Sequence, residues 1–175
     1  MPIIVCPLAR VPHMIETRRP DRIVSLLDPE TPFPDSGGVS RHLRLGMHDI
    51  TEIYAGQIPP MATHVENVLQ FIADWDRADP VLVHCYAGIS RSTATAFTIA
   101  CALNPDTDEA EIAWTLRRAS PSAWPNARIV ALADAALSRG GRMTAAIHAI
   151  GAGRAWHEIG EAEPFEIPSA YEAAA

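Results

Sequence analysis

Cys85 and Arg91, separated by five residues, bracket a short run whose side chains could act together on an oxyanion: His84-Cys85-Tyr86-Ala87-Gly88-Ile89-Ser90-Arg91-Ser92. The thiolate is the nucleophilic form of cysteine, and a helix N-terminus or a nearby cation draws its pKa from about 8.5 into roughly 3.5–7.5. A guanidinium forks onto two phosphate oxygens and offsets the charge that spreads over them during transfer. If the run is a tight turn entering a helix, the amides of Tyr86, Ala87, Gly88, Ile89, Ser90 and Arg91 can face inward. Backed by the positive end of the helix dipole, they would cradle a phosphate dianion. Gly88 supplies the backbone freedom that such a curl needs. The chemistry in prospect is attack by Cys85 on phosphorus while Arg91 holds the phosphate.

That chemistry requires a strand before the turn and a helix after it, and the pattern supplies both. Val81-Leu-Val-His84 is a nearly continuous apolar run of the kind buried on both faces of a mostly parallel sheet. Thr93 to Leu103 reads as a buried helix, well short of the ~20 residues needed to cross a bilayer. Upstream, Ile3 to Cys6 and Arg22 to Leu27 read as strands. Asp28 to Gly38, rich in proline and glycine, reads as a surface loop. Arg41 to Leu45 alternates as a half-buried strand ending at Gly46, with a loop through Met47 to Ile50. Val65, Val68, Leu69 and Ile72 share one helical face, Thr63 and Glu66 form a capping box, and Asp79-Pro80 stops the helix.

Downstream, Asp106 and Glu109 open a helix to about Ala119, and Pro125-Asn126 open another to about Leu137. Gly140-Gly141 ends the second, and a short helix over Met143 to Ile150 follows. The last 20 or so residues lose periodicity and read as an acidic tail, ordered only if it docks on the body. The expected fold is an α/β three-layer sandwich, a central mostly parallel sheet flanked by helices, with the Val81 strand in the middle. Residues 1–140 form the body, and 141–175 a C-terminal helix and tail packed on it or trailing from it. In such sheets ligands sit outside the carboxyl ends of the strands, where His84 to Ser92 lies.

His-Cys, five residues, Arg-Ser resembles the signature of the protein tyrosine phosphatase superfamily, and this version is most similar to its compact dual-specificity-type branch in a bacterial-like form. The similarity runs from about Ile3 to Ala136 and includes Pro125-Asn126, which follows the signature in that branch. The resemblance implies a phosphotyrosine phosphatase-like fold and hydrolysis of phosphotyrosine, with phosphoserine and phosphothreonine as further substrates. It implies a phosphocysteine on Cys85, Arg91 as the clamp, Ser92 as the hydroxyl that helps the thiolate leave, and His84 orienting the loop. No cofactor or metal is implied.

The leaving oxygen needs a proton, and a carboxylic acid facing the cradle contributes 10²–10⁴-fold. Asp49 is the first candidate, because it follows a strand on a loop and its separation from Cys85 is similar to the family's usual one. Asp28, at another strand end, is the reserve. The resemblance also admits a protective Cys85–Cys101 disulfide under oxidation.

Two other functions are consistent with the pattern: a catalytically silent phosphopeptide-binding module, or the same chemistry on a phosphoinositide, a nucleotide or an RNA 5′ end. Silent relatives typically lack one of Cys85, Arg91, Ser92 and Asp49. Relatives acting on multiply phosphorylated lipids or RNA usually carry extra basic residues in the cradle, and Tyr86 to Ser90 has none.

A net charge of -7 argues against a basic face for nucleic acid or anionic membrane. All 14 Lys+Arg residues are arginine. Cys6 and Cys101 read as buried hydrophobes, the histidines as surface or core residues, and the four tryptophans as packing anchors. Arg128 is a conceivable second anion contact. With no export signal at the N-terminus, the expected location is the cytoplasm, and the expected partner a phosphorylated protein.

Overall fold

β-Branched and leucine-rich runs at the expected places form the sheet, and the amphipathic segments between them pack on it. The computed structural model describes residues 1–154, 158 and 162–171. Trp156, His157 and parts of the acidic tail lie outside them.

The strands are β1 (Pro2–Pro7), β2 (Arg22–Leu27), β3 (Arg41–Gly46), β4 (Val81–Cys85) and β5 (Phe165–Pro168). The helices are α1 (Val11–Arg18), α2 (Ala62–Ile72), α3 (Arg91–Leu103), α4 (Glu109–Ala119), α5 (Ala127–Ala136) and α6 (Arg142–Ile150). The strand order is β3-β2-β4-β1-β5. The first four strands in that row are parallel, and β5 runs antiparallel to β1. β2 and β4 are buried along their whole length, as continuous apolar runs inside a parallel sheet should be.

One face of the sheet presents Ile3, Val5, Val24, Leu26, Val81 and Val83 to a core that includes buried residues of α2 to α6. The opposite face presents Ile4, Cys6, Ile23 and Leu82 to Val11 and Met14 of α1. This three-layer α/β arrangement agrees with the expectation. α3 lies deepest, with every residue from Arg91 to Cys101 buried. Its small side chains, Ala94, Ala96 and Ala100, fit a helix enclosed on all sides.

Three elements differ from the sequence reading. α1 was not expected, because Pro12 reads as an interruption; it sits in the first turn of the helix, where its missing N–H has no intrahelical partner to lose. α2 starts earlier than the Thr63–Glu66 capping box requires: Met61 is the N-cap, and its N–H donates to His64 Nδ1 at 3.1 Å. The tail also yields β5, docked on β1 from Pro2↔Pro168 to Val5↔Phe165. α6 is held by Asp134 of α5, whose carboxylate accepts from the N–H groups of Gly141, Met143 and Thr144. Among the described residues no helix is long and apolar enough to cross a membrane.

Candidate active site

Three parallel strands end on the same edge of the sheet, and the residues that follow them converge. Asp28 follows β2, Met47 to Asp49 follow β3, and the turn from Cys85 follows β4. Trp124 to Asn126, entering α5, close the fourth side.

Cys85 ends β4 and is 1% exposed. Its Sγ accepts a hydrogen bond from Gly88 N–H at 3.3 Å and lies 3.1 Å from Ser92 Oγ. Gly88 has φ +73, and a Cβ there would sit 2.8 Å from Pro7 N, so both conformation and space demand glycine. Tyr86 O accepts from Leu8 N–H at 3.0 Å, which fixes the start of the turn against β1. The far side is tied down by Trp124 N–H to Ile89 O at 2.9 Å and Asn126 N–H to Ser90 O at 3.3 Å. Ser90 is the N-cap of α3 but gives no side-chain cap. Among the described residues, the amides of Ala87, Ile89, Ser90 and Arg91 have no acceptor.

Arg91 is 3% exposed, and its guanidinium is anchored on one edge. Nη1 donates to Asp28 Oδ1 and to Met47 O, both at 2.7 Å. Nε is buried without a hydrogen-bond partner, and Asp49 Oδ2 lies 3.7 Å from it. Asp49 is itself positioned: its Oδ1 accepts from Ser90 Oγ at 2.7 Å and from Asn126 Nδ2 at 2.8 Å. The same Asn126 caps α5 by accepting from Arg128 and Ile129 N–H.

His84 is fully buried, with Nδ1 3.3 Å from Cys85 O and Nε2 2.5 Å from Ser25 Oγ. Burial, with smaller contributions from His42 and Arg91, pushes its pKa down to about 4, against the hydrogen bond to the Cys85 backbone. The thiols of Cys6 and Cys101 stay protonated. Burial first, and the neighbouring Cys85 second, push Cys6 up to about 12. Cys101 is raised as well, by burial first and Glu109 second.

The structure thus brings Cys85, Gly88, Ser90, Arg91, Ser92, Asp49 and Asn126 together, and His84 behind them. Four expectations differ from the structure. Cys101 lies ten residues along α3 from Arg91, roughly 15 Å at 1.5 Å per residue. Ser92, whose Oγ touches Cys85 Sγ, stands nine residues before Cys101 on the same helix, so the Cys85–Cys101 pairing exceeds the reach of a disulfide. Arg128 is a loop tether rather than an anion contact: Nε donates to Pro60 O at 2.8 Å and Nη1 to Thr51 O at 3.4 Å. Trp124 is not a packing anchor; it is 52% exposed and lines a cleft of about 480 Å³ with Tyr54, Ile50, Ile89, Asp49 and Asn126. Asp28 was the reserve acid, and its carboxylate is engaged by Arg91 instead.

No family model matches the sequence, and no curated protein does. Solved structures match the fold. The chain is similar to DUSP15, with a TM-score of 0.60 at 19% identity over 83% of this chain and 89% of that one. It is similar to the human tyrosine phosphatase-like serine/threonine/tyrosine-interacting protein, with a TM-score of 0.61 at 16% identity over 78% and 91%. It is also similar to Tk-PTP in the active form, with a TM-score of 0.53 at 21% identity over 76% and 88%. The architecture of these proteins is therefore the architecture of this chain.

Proposed function

We propose that this chain is a cysteine-dependent phosphatase of the protein tyrosine phosphatase superfamily, dual-specificity-type branch, acting on phosphotyrosine in proteins. The observation that carries this reading is Arg91: a buried guanidinium with Nη1 doubly anchored and Nε unpartnered, beside a cysteine at the mouth of a helix. An unpaired buried N–H is unfavourable by about 1–3 kcal/mol, a penalty that a phosphate oxygen would relieve. The free amides of the turn and the N-terminus of α3 complete an anion cradle around the same point.

In the first step Cys85 Sγ, as thiolate, forms a bond to phosphorus while the bond to the ester oxygen breaks. That oxygen takes a proton from Asp49, whose Oδ1 is held by Ser90 and Asn126 and whose Oδ2 is left for the proton. Arg91 offsets the charge on the equatorial oxygens. In the second step water attacks phosphorus, Asp49 takes its proton, and the S–P bond breaks. Ser92 Oγ donates to the departing sulfur, and inorganic phosphate is released.

The cleft favours an aromatic monophosphate. Tyr54 and Trp124 offer exposed rings, and no cation is among the residues lining it, which suits phosphotyrosine better than a multiply phosphorylated lipid or a nucleotide. The expected result is hydrolysis of an aryl phosphate and of phosphotyrosine peptides, inhibited by vanadate and abolished by Cys85→Ser. Inertness of the wild type on every aryl phosphate would overturn the reading. Tight phosphopeptide binding without turnover would establish the silent binding module in its place.

A further inference from the structure

We propose that Ser25 and His42 are positioning residues that lock His84 into a single tautomer, with its N–H held on the Cys85 carbonyl at the base of the phosphate cradle. The inference rests on the reading of Cys85 as the nucleophile.

The three side chains come from adjacent parallel strands. Ser25 of β2 stands directly opposite His84 of β4, and His42 of β3 stands opposite Ile23, two residues before Ser25. Ile23 and Leu82 belong to the core under α1, so alternation along β2 and β4 puts Ser25 and His84 on that same face, behind the cradle. Ser25 Oγ is 2.5 Å from His84 Nε2 and 2.7 Å from His42 Nε2. Ser25 and His84 are fully buried, and His42 Nδ1 is buried without a partner among the described residues.

Counting protons leaves one arrangement. The Cys85 carbonyl can only accept, so the hydrogen on His84 is on Nδ1 and its Nε2 is a bare acceptor. That acceptor takes the only proton of Ser25. Having given it, Ser25 Oγ must accept from His42, which places the second hydrogen on His42 Nε2 and leaves His42 Nδ1 bare. The bare Nδ1 is the very atom that lacks a partner. The result is a one-way chain, His42 to Ser25 to His84 to Cys85 O.

The two imidazoles are kept neutral, as the arrangement needs. Burial and then Arg44 push His42 down to about 4, and His84 has the same value, with Arg91 and His42 adding to its burial. Arg44 of β3, Arg91 of α3, Cys85 of β4 and Cys6 of β1, which stands opposite His84 and stays protonated, are the charged or ionisable groups beside the pair. Without Ser25, either tautomer of His84 leaves a buried nitrogen unpaired, and one of the two turns a lone pair on the Cys85 carbonyl. The Cys85 peptide then loses this side-chain anchor, and the approach of the Gly88 amide to the sulfur is held less tightly.

Two measurements test this, and neither uses a phosphate ester, so a chain inert as a phosphatase would still give an answer. The first is the ¹⁵N spectrum of the histidine rings in the wild type at pH 7. Protonated Nδ1 on His84 and protonated Nε2 on His42 are expected; a hydrogen on His84 Nε2 overturns the proposal. The second is iodoacetamide alkylation of Cys85 against pH, with Cys85→Ser as the blank for Cys6 and Cys101. Ser25→Ala should move the midpoint up by about one unit, roughly tenfold slower alkylation on the acidic limb. His42→Leu should move it the same way by less, and His42→Gln, whose amide N–H can still donate to Ser25, should return it to the wild-type value. Coincident midpoints for wild type, Ser25→Ala and His42→Leu would overturn the proposal. If Ser25→Ala does not fold, the His42 pair and the wild-type spectrum decide.

Discussion

Asp49 and Asp28 show how two like side chains at strand ends acquire different tasks from their neighbours. Asp28 meets the anchored edge of Arg91, a contact between a half-exposed carboxylate and a buried cation that holds the guanidinium plane in place. Asp49 meets Ser90 and Asn126 through Oδ1 and keeps only a longer 3.7 Å approach to Arg91 Nε, which leaves Oδ2 for the proton transfer proposed above. Asp49→Asn should therefore lower kcat by 10²–10⁴-fold on an alkyl phosphate and far less on a substrate whose leaving group needs no proton. Asp28→Asn should instead raise KM on both kinds of substrate, because a loosened Arg91 binds phosphate less well. Steady-state kinetics on p-nitrophenyl phosphate beside a phosphoserine peptide separates the two. A leaving-group effect in the Asp28 variant would reverse the assignment.

At the level of helices and strands, Asn126 does two jobs from one side chain: its Oδ1 caps α5 while its Nδ2 holds Asp49. Asn126→Ala should weaken the fold by about 1 kcal/mol, lowering Tm by about 2–4 °C, and should also reduce kcat. Asp108 caps α4 in the same manner away from the cleft, so Asp108→Ala should give a similar Tm shift with unchanged kcat. Equal kinetic losses in the two variants would show that the effect is one of stability alone. The elements β2, β4, α2 and α4 were legible in the sequence, and so was the tight turn between β4 and α3, because Cys85, Gly88 and Arg91 lie within a few residues of one another. α1 buries only Val11 and Met14, too little for a helical stripe to stand out. β5 buries Ile167 alone within Phe165–Pro168, and its partner lies some 160 residues away, so no local pattern announces it. Ser25 and His42 were illegible for a related reason. Their contact with His84 depends on which strands are neighbours and in what register, and spacing along the chain does not encode that.

Over the whole molecule, the buried imidazole ties stability to pH. His84 titrates near 6.5 when unfolded and near 4 in the fold. Above about pH 6.5 it is neutral in both states, and the fold keeps its full stability. As pH falls toward 4 the unfolded chain takes up a proton that the folded chain refuses, so stability drops, by roughly 3 kcal/mol in all. His42, depressed to about 4 as well, acts in the same direction. Exposed carboxylates behave differently: hydrogen bonds from Arg41 and then Arg22 hold Asp74 at about 2, so its contribution survives until the pH is below about 4. Urea midpoints at pH 7.0 and 4.5 should therefore differ, and a flat profile over that interval would contradict the burial of a neutral His84. The antiparallel seal of β5 on β1 has a consequence for synthesis on the ribosome. The parallel strands and the cradle are all encoded before residue 104, yet the outer rim of β1 stays unpaired until residue 168 has left the exit tunnel. For that interval a nascent chain with its four parallel strands already encoded carries a bare, sticky ribbon one strand away from Cys85, an invitation to chaperones and to neighbouring copies alike.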